Sequence, residues 1–234
     1  DFQDPHARSP LNKRARDACM EFLNRKLGDP DLVATMTPPH PVWSARAVVV
    51  DSEYSILDAL KRDNVTLVTS GIERIEPRGI VSKDGTLHEA DVIVYATGFR
   101  ATEYLYPMTI TGRGGRRIED LWAKDGARAY LGCMMPGFPN MWSIYGPNTN
   151  GALTVASFHE KVALYALQCL EKMVLGTANA MDVREDAYWR YNRLVDERNL
   201  MKVWSDPRAH NYYWTEHNRS ATMNPFYTAE MSAF

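Results

Sequence analysis

The chain has 234 residues, of which 45% are hydrophobic and 24% charged, with a formal net charge of −2; this is ordinary globular composition, enough for one large or two small domains. The absence of a basic surplus argues against a nucleic-acid partner, and the longest apolar stretch, 152–175, is interrupted by His159, Glu160, Lys161, Gln168, Glu171 and Lys172, which argues against a bilayer span. Cys19, Cys133 and Cys169 are far apart with no CxxC spacing, so neither a metal site nor a disulfide framework is expected, and a reducing cytoplasm is the default compartment.

The chain opens at Asp1 without a methionine or a signal-peptide pattern, as a fragment would. Ser9 and Pro10 then form an N-cap and first helical position. Leu11, Ala15, Ala18, Phe22 and Leu23 recur on one face, and Gly28 with Pro30 stops the run, predicting a helix over 10–27. Pro38, Pro39 and Pro41 make a hinge. Beyond it 47–50 is expected as a short strand, 53–62 as a helix begun by Asp51 or Ser52, and 65–69 as a strand, together a β-α-β unit. Segments 72–75 and 80–82 are predicted as short strands, with Lys83, Asp84 and Gly85 as a hairpin turn and 86–88 as its return.

The run DVIVYATGF, 91–99, carries the most information. Val92, Ile93, Val94 and Tyr95 have the character of a strand buried on both faces, as in a parallel sheet. Ala96, Thr97 and Gly98 then shed bulk at the carboxyl end, where open α/β sheets bind ligands. Alone, the run would favour a core strand followed by a turn over a ligand site.

TGRGGRR, 111–117, has neither G-x-G-x-x-G nor P-loop spacing and is expected as a solvated hairpin. A strand over 141–145 runs into Gly146, Pro147 and Asn148. A helix over 154–175 follows, burying Val155, Phe158, Val162, Ala166, Cys169, Leu170 and Met173 and ending at Gly176. Its N-terminus would offer free N–H groups to an anion or a polar ring edge. His159 and Glu160 on this helix are assigned no acid-base role. A last helix over 183–200, capped by Asp182 with Glu185, precedes an aromatic tail of Trp204, Tyr212, Tyr213, Trp214, Phe226 and Tyr227.

Taken in order, His40-Pro41 with Arg46 five residues after the proline, NVTLV at 64–68, the DG hairpin, DVIVYATGF, FPNMWSIYGPN at 138–148 and a glutamate-bearing helix resemble the C-terminal half of a flavin-dependent Baeyer-Villiger monooxygenase. The MKVWSDP…YYW tail, 201–214, makes the chain most similar to the 4-hydroxyacetophenone monooxygenase type.

The resemblance implies an α/β fold, a partial two-dinucleotide-binding-domain (Rossmann-like) flavoprotein truncated at its N-terminus. Residues 1–38 would end a helical insertion, 39–95 complete the NADPH domain and 96–234 form the returning part of the FAD domain. It also implies FAD and NADPH as cofactors, O2 and a ketone, including an aryl ketone, as substrates, and an ester as product formed through a C4a-peroxyflavin. Arg46 would be the catalytic cation beside the flavin, since guanidinium keeps its proton at any working pH. A surface ion pair to Asp51 or Glu53 is the alternative for Arg46. Thr97, Gly98, Phe99, Gly146, Pro147 and Asn148 would line the cofactor through backbone and shape, with no metal.

No G-x-G-x-x-G occurs in the chain. FAD is therefore expected to bind the isolated chain weakly or not at all. Two alternatives stay open: sulfur or nitrogen oxygenation of a soft nucleophile, and a catalytically silent module that self-associates or binds a missing N-terminal half through exposed apolar surface.

Overall fold

The computed structural model describes residues 3–48, 50–151, 155–176, 178–209, 211–215, 217 and 219–233. The chain mixes helices and strands and divides into two compact units. The larger comprises 1–16, 38–47 and 100–234, and the smaller 17–37 and 48–99.

The first helix, α1 (Pro10–Leu27), falls where predicted. Ser9 caps it, its hydroxyl oxygen accepting from the Asn12 N–H at 3.1 Å, and Gly28 leaves it with φ +73°. Leu11 is exposed despite its place on the expected apolar face. Pro30 does not end the helical region: it opens α2 (Pro30–Met36), with Asp29 as N-cap accepting from the Asp31 and Leu32 N–H groups. In the smaller unit Leu27, Val33 and Leu57 form a core, joined by Met20, Phe22, Leu23 and Met36.

The predicted β-α-β unit is not formed. Residues 47, 48 and 50 are irregular, and Val49 lies outside the described residues. The expected helix over 53–62 shrinks to α3 (Ile56–Ala59), because the Asp51 carboxylate closes a local turn onto the Glu53 and Tyr54 N–H groups. Segment 65–69 is also irregular. The three-stranded antiparallel sheet does form: β1 (Ile72–Glu76), β2 (Gly79–Ser82) and β3 (Leu87–Glu89), in the order β1-β2-β3. Gly79, at φ +154°, is required by close approach, since a Cβ there would lie 2.0 Å from the His88 carbonyl oxygen.

The largest correction concerns 91–99. The run is not a buried strand: it is irregular, without ladder partners among the described residues, and Val94 and Phe99 are 82% and 96% exposed. A β-branched run becomes a strand only when another strand satisfies its backbone, and neither this run nor 47–50 or 65–69 has one among the described residues.

In the larger unit, 111–117 is the expected exposed hairpin, with a bridge from Thr111 to Arg117 and a 3₁₀ turn at Arg113–Gly115. A short helix, α4 (Ile118–Trp122), buries Ile118 and Leu121 in a cluster with Ala129, Met135 and Phe138. Segment 141–145 is irregular and not a strand. A two-residue strand, β4 (Asn150–Gly151), leads toward α5 (Val155–Leu175); Thr154, the expected first residue of that helix, lies outside the described residues.

Phe158, Val162 and Cys169 of α5 are buried, whereas Val155 and Leu170 are exposed. α6 (Glu185–Leu200) starts two residues later than expected, with Arg184 at the N-cap position. Asp182 does not cap it, because its carboxylate accepts the Gly137 N–H. Tyr191 and Val195 of α6 share a core with Leu131, Cys133, Met134, Phe158, Val162 and Phe226. Strand β5 (Met223–Asn224), parallel to β4, and α7 (Thr228–Met231) complete the chain.

Candidate functional site

The Gly146-Pro147-Asn148 turn lies in the interior of the larger unit. A Cβ on Gly146 would sit 2.3 Å from the Gly132 carbonyl oxygen, so only glycine fits. Asn148 adopts φ +58° and is fully buried. Its Nδ2 donates to the carbonyls of Ser220 at 2.7 Å and Met223 at 2.9 Å, and its Oδ1 accepts from Arg219 Nη2 at 3.2 Å. The Asn148 and Asn150 N–H groups donate to the Ala221 and Thr222 carbonyls, setting the register of β4 on β5. The Asn148 side chain is thus committed to protein partners.

Arg219 connects this turn to a charge network of two buried arginines and two half-buried carboxylates. Its Nε donates to Asp196 Oδ1 at 3.2 Å, Asp196 Oδ2 accepts from Arg128 Nη1 at 2.6 Å, and Arg128 also grips Asp125 Oδ2 through Nε and Nη2. Burial, and next the nearby Arg128 charge, pull the Arg219 pKa below its ordinary value. Such a network holds its geometry because breaking one member strands another charge in the interior.

Arg46 belongs to the same unit, on a loop fixed from several directions. Asn12 Nδ2 donates to the Val42 carbonyl at 2.9 Å, and Asn211 Nδ2 donates to the Ser44 carbonyl at 2.7 Å. The buried Ser44 hydroxyl donates to the Pro41 carbonyl at 2.6 Å. Beyond this anchor Arg46 is exposed, and its Nη1 donates to the Tyr212 hydroxyl at 3.0 Å. That bond raises the Arg46 pKa further above an already high value. The group is a permanent cation at the surface of its loop.

Thr97, Gly98 and Phe99 belong to the smaller unit and are exposed. Gly98 has φ +87°, with no heavy atom within 4 Å of where a Cβ would stand. On α5, the His159 ring meets the Tyr145 ring edge-on at 5.4 Å, and Glu160 is exposed. Cys133 and Cys169 are buried and Cys19 is exposed, and no cluster of metal-ligating side chains occurs among the described residues. No helix among them is long and apolar enough to cross a membrane.

The sequence-based expectations missed two features: Tyr212 as the partner of Arg46, and the Asp125-Arg128-Asp196-Arg219 network behind the turn. The first had a local signal in Asn211, whose Oδ1 accepts the Tyr213 and Trp214 N–H groups and so starts a turn. The second joins residues up to 94 positions apart and left no local signal.

No family model matches the chain. It is similar to an FAD-binding monooxygenase of Aspergillus niger, 35% identical over 206 residues that cover 84% of this chain and 32% of the relative. A Baeyer-Villiger monooxygenase of Streptomyces coelicolor is 33% identical over 216 residues, 90% of this chain and 41% of the relative. Among solved structures, an oxidized steroid monooxygenase bound to NADP superposes with a TM-score of 0.83 at 27% identity, over 99% of this chain and 44% of that one. The fold is that of part of a monooxygenase. The chain spans about a third to two-fifths of the length of these curated relatives.

Proposed function

We propose that the chain is part of an FAD- and NADPH-dependent Baeyer-Villiger monooxygenase, which converts a ketone, O2, NADPH and a proton into an ester, water and NADP+. The observation that carries this is the similarity to the Streptomyces coelicolor enzyme along 90% of the chain, together with an exposed arginine whose partner is neutral. The MKVWSDP…YYW tail favours the 4-hydroxyacetophenone type and an aryl ketone as substrate.

Each unit, taken by itself, has features that would suit a flavin site. The charge of Arg46 is held by a tyrosine hydroxyl and stays available to an anion, and Gly98 has open space on its Cβ side. Thr97, Gly98 and Phe99 would approach the cofactor through backbone, as would Gly146, Pro147 and Asn148. FAD, once bound and reduced by NADPH, supplies the activation of O2. Arg46 contributes a fixed positive charge where negative charge develops.

In this assignment residues 1–38 end a helical insertion, 39–95 belong to the NADPH domain and 96–234 to the FAD domain of a longer, Rossmann-like parent. The segments of strand composition at 47–50, 65–69 and 91–96 would then find strand partners in its N-terminal half. Without that half, their exposed apolar side chains favour self-association of the chain.

The test is a competition in the FAD-loaded full-length parent between an aryl ketone and an aryl thioether, with NADPH oxidation and products followed together. Ester as the main product supports Baeyer-Villiger chemistry. Sulfoxide alone assigns the protein to soft-nucleophile oxygenation.

A further inference from the structure

We propose that Tyr212 is a positioning residue for Arg46, holding the guanidinium in one direction without neutralising it; this rests on the assignment of Arg46 as the cation of the site. Arg46 and Tyr212 are 166 positions apart yet share one mount. Asn211, next to Tyr212, donates to the Ser44 carbonyl two residues before Arg46, and it accepts the Tyr213 and Trp214 N–H groups. Loop and tail are thereby locked together, and the Tyr212 hydroxyl meets Arg46 Nη1 at 3.0 Å. Tyr213 adjoins the pair: its hydroxyl lies 3.4 Å from that of Tyr212, with ring centroids 4.5 Å apart.

The choice of partner matters chemically. A carboxylate would fix the guanidinium equally well but would cancel its charge, and no carboxylate of the larger unit pairs with Arg46 among the described residues. A neutral phenol takes one of the five guanidinium N–H groups as an acceptor. Among the described residues the partners of Arg46 are Tyr212 and, beside it, Tyr213, so no carboxylate among them cancels the positive charge offered to an anion. An unsupported arginine on a surface loop would sample many rotamers and spend part of its binding energy on ordering.

The experiment compares Tyr212→Phe, Arg46→Met and the parent sequence with two readouts. In the 234-residue chain, side-chain 15N resonances of Arg46 report guanidinium rotation, which should be slow in the parent and become fast in Tyr212→Phe. In the FAD- and NADPH-loaded holoenzyme, ester formed per NADPH consumed should fall about fivefold in Tyr212→Phe, the equivalent of one lost hydrogen bond, with hydrogen peroxide making up the difference and KM for the ketone unchanged. Unaltered guanidinium rotation, or unaltered coupling in Tyr212→Phe while Arg46→Met loses ester formation, would overturn the positioning role and leave Arg46 in place. Unaltered coupling in Arg46→Met would overturn the role of Arg46 and the proposal with it.

Discussion

Asn148 carries more structure than any other residue of the Gly-Pro-Asn turn. Three side-chain hydrogen bonds and a left-handed backbone converge on one buried residue, which alanine could neither replace nor comfortably adopt. Asn148→Ala should destabilise the chain by about 3 kcal/mol, through the stranded Ser220 and Met223 carbonyls and the lost Arg219 contact. Urea unfolding would measure it, and a loss below about 1 kcal/mol would show that the turn relaxes around the change. The sequence marked this turn as a ligand-facing feature. Its burial and its bonds to 219–223 were not legible, because those partners lie more than 70 positions away.

At the scale of elements, locally encoded pieces were readable and non-local ones were not. Helix α1 with its Ser9 cap and the β1-β2-β3 sheet with its Lys83-Asp84-Gly85 turn draw their bonds from near neighbours. In that turn the Ser82 hydroxyl, and next the Thr86 N–H, hold the Asp84 pKa down at about 2. The runs 47–50, 65–69 and 91–96 have strand composition but take their identity from neighbours, so pattern alone overstated them. α6 kept its place but lost its expected cap, since the Asp182 carboxylate is drawn to Gly137.

One inter-element clamp has a pH signature. The buried Asp206 carboxylate binds Arg208 through both oxygens, and Arg208 in turn donates to the Asp4, Pro5 and Ala7 carbonyls ahead of α1. The Arg208 hydrogen bond depresses the Asp206 pKa in the fold. Its contribution is therefore complete above the unfolded-state value near 4 and is lost as pH falls through the lower folded value. Asp206→Asn should cost about 1–2 kcal/mol at pH 7, discounted for the partly exposed Arg208. The difference from the parent should shrink as the pH drops below 4. A difference independent of pH would show that the clamp acts through packing and not through charge.

For the molecule as a whole, the larger unit holds a self-consistent core, a locked turn and a cation mounted on the C-terminal tail. The smaller unit exposes a long apolar run that includes the proposed Thr97, Gly98 and Phe99 contacts. Residue types and their order were enough to suggest the chemistry. Their assembly was not, because the Gly-Pro-Asn turn takes its bonds from residues more than 70 positions away and the chain contains no G-x-G-x-x-G fingerprint to mark a phosphate cradle.

The most direct measurement supplies the longer parent, loaded with FAD and NADPH, with an aryl ketone under 18O2 and weighs the product. The predicted result is an ester carrying one 18O atom for each NADPH consumed, with formation reduced about 100-fold by Arg46→Met while FAD stays bound. Recovery of unlabelled ketone with NADPH oxidised only to peroxide, or labelled ester made equally well by Arg46→Met, would contradict the account.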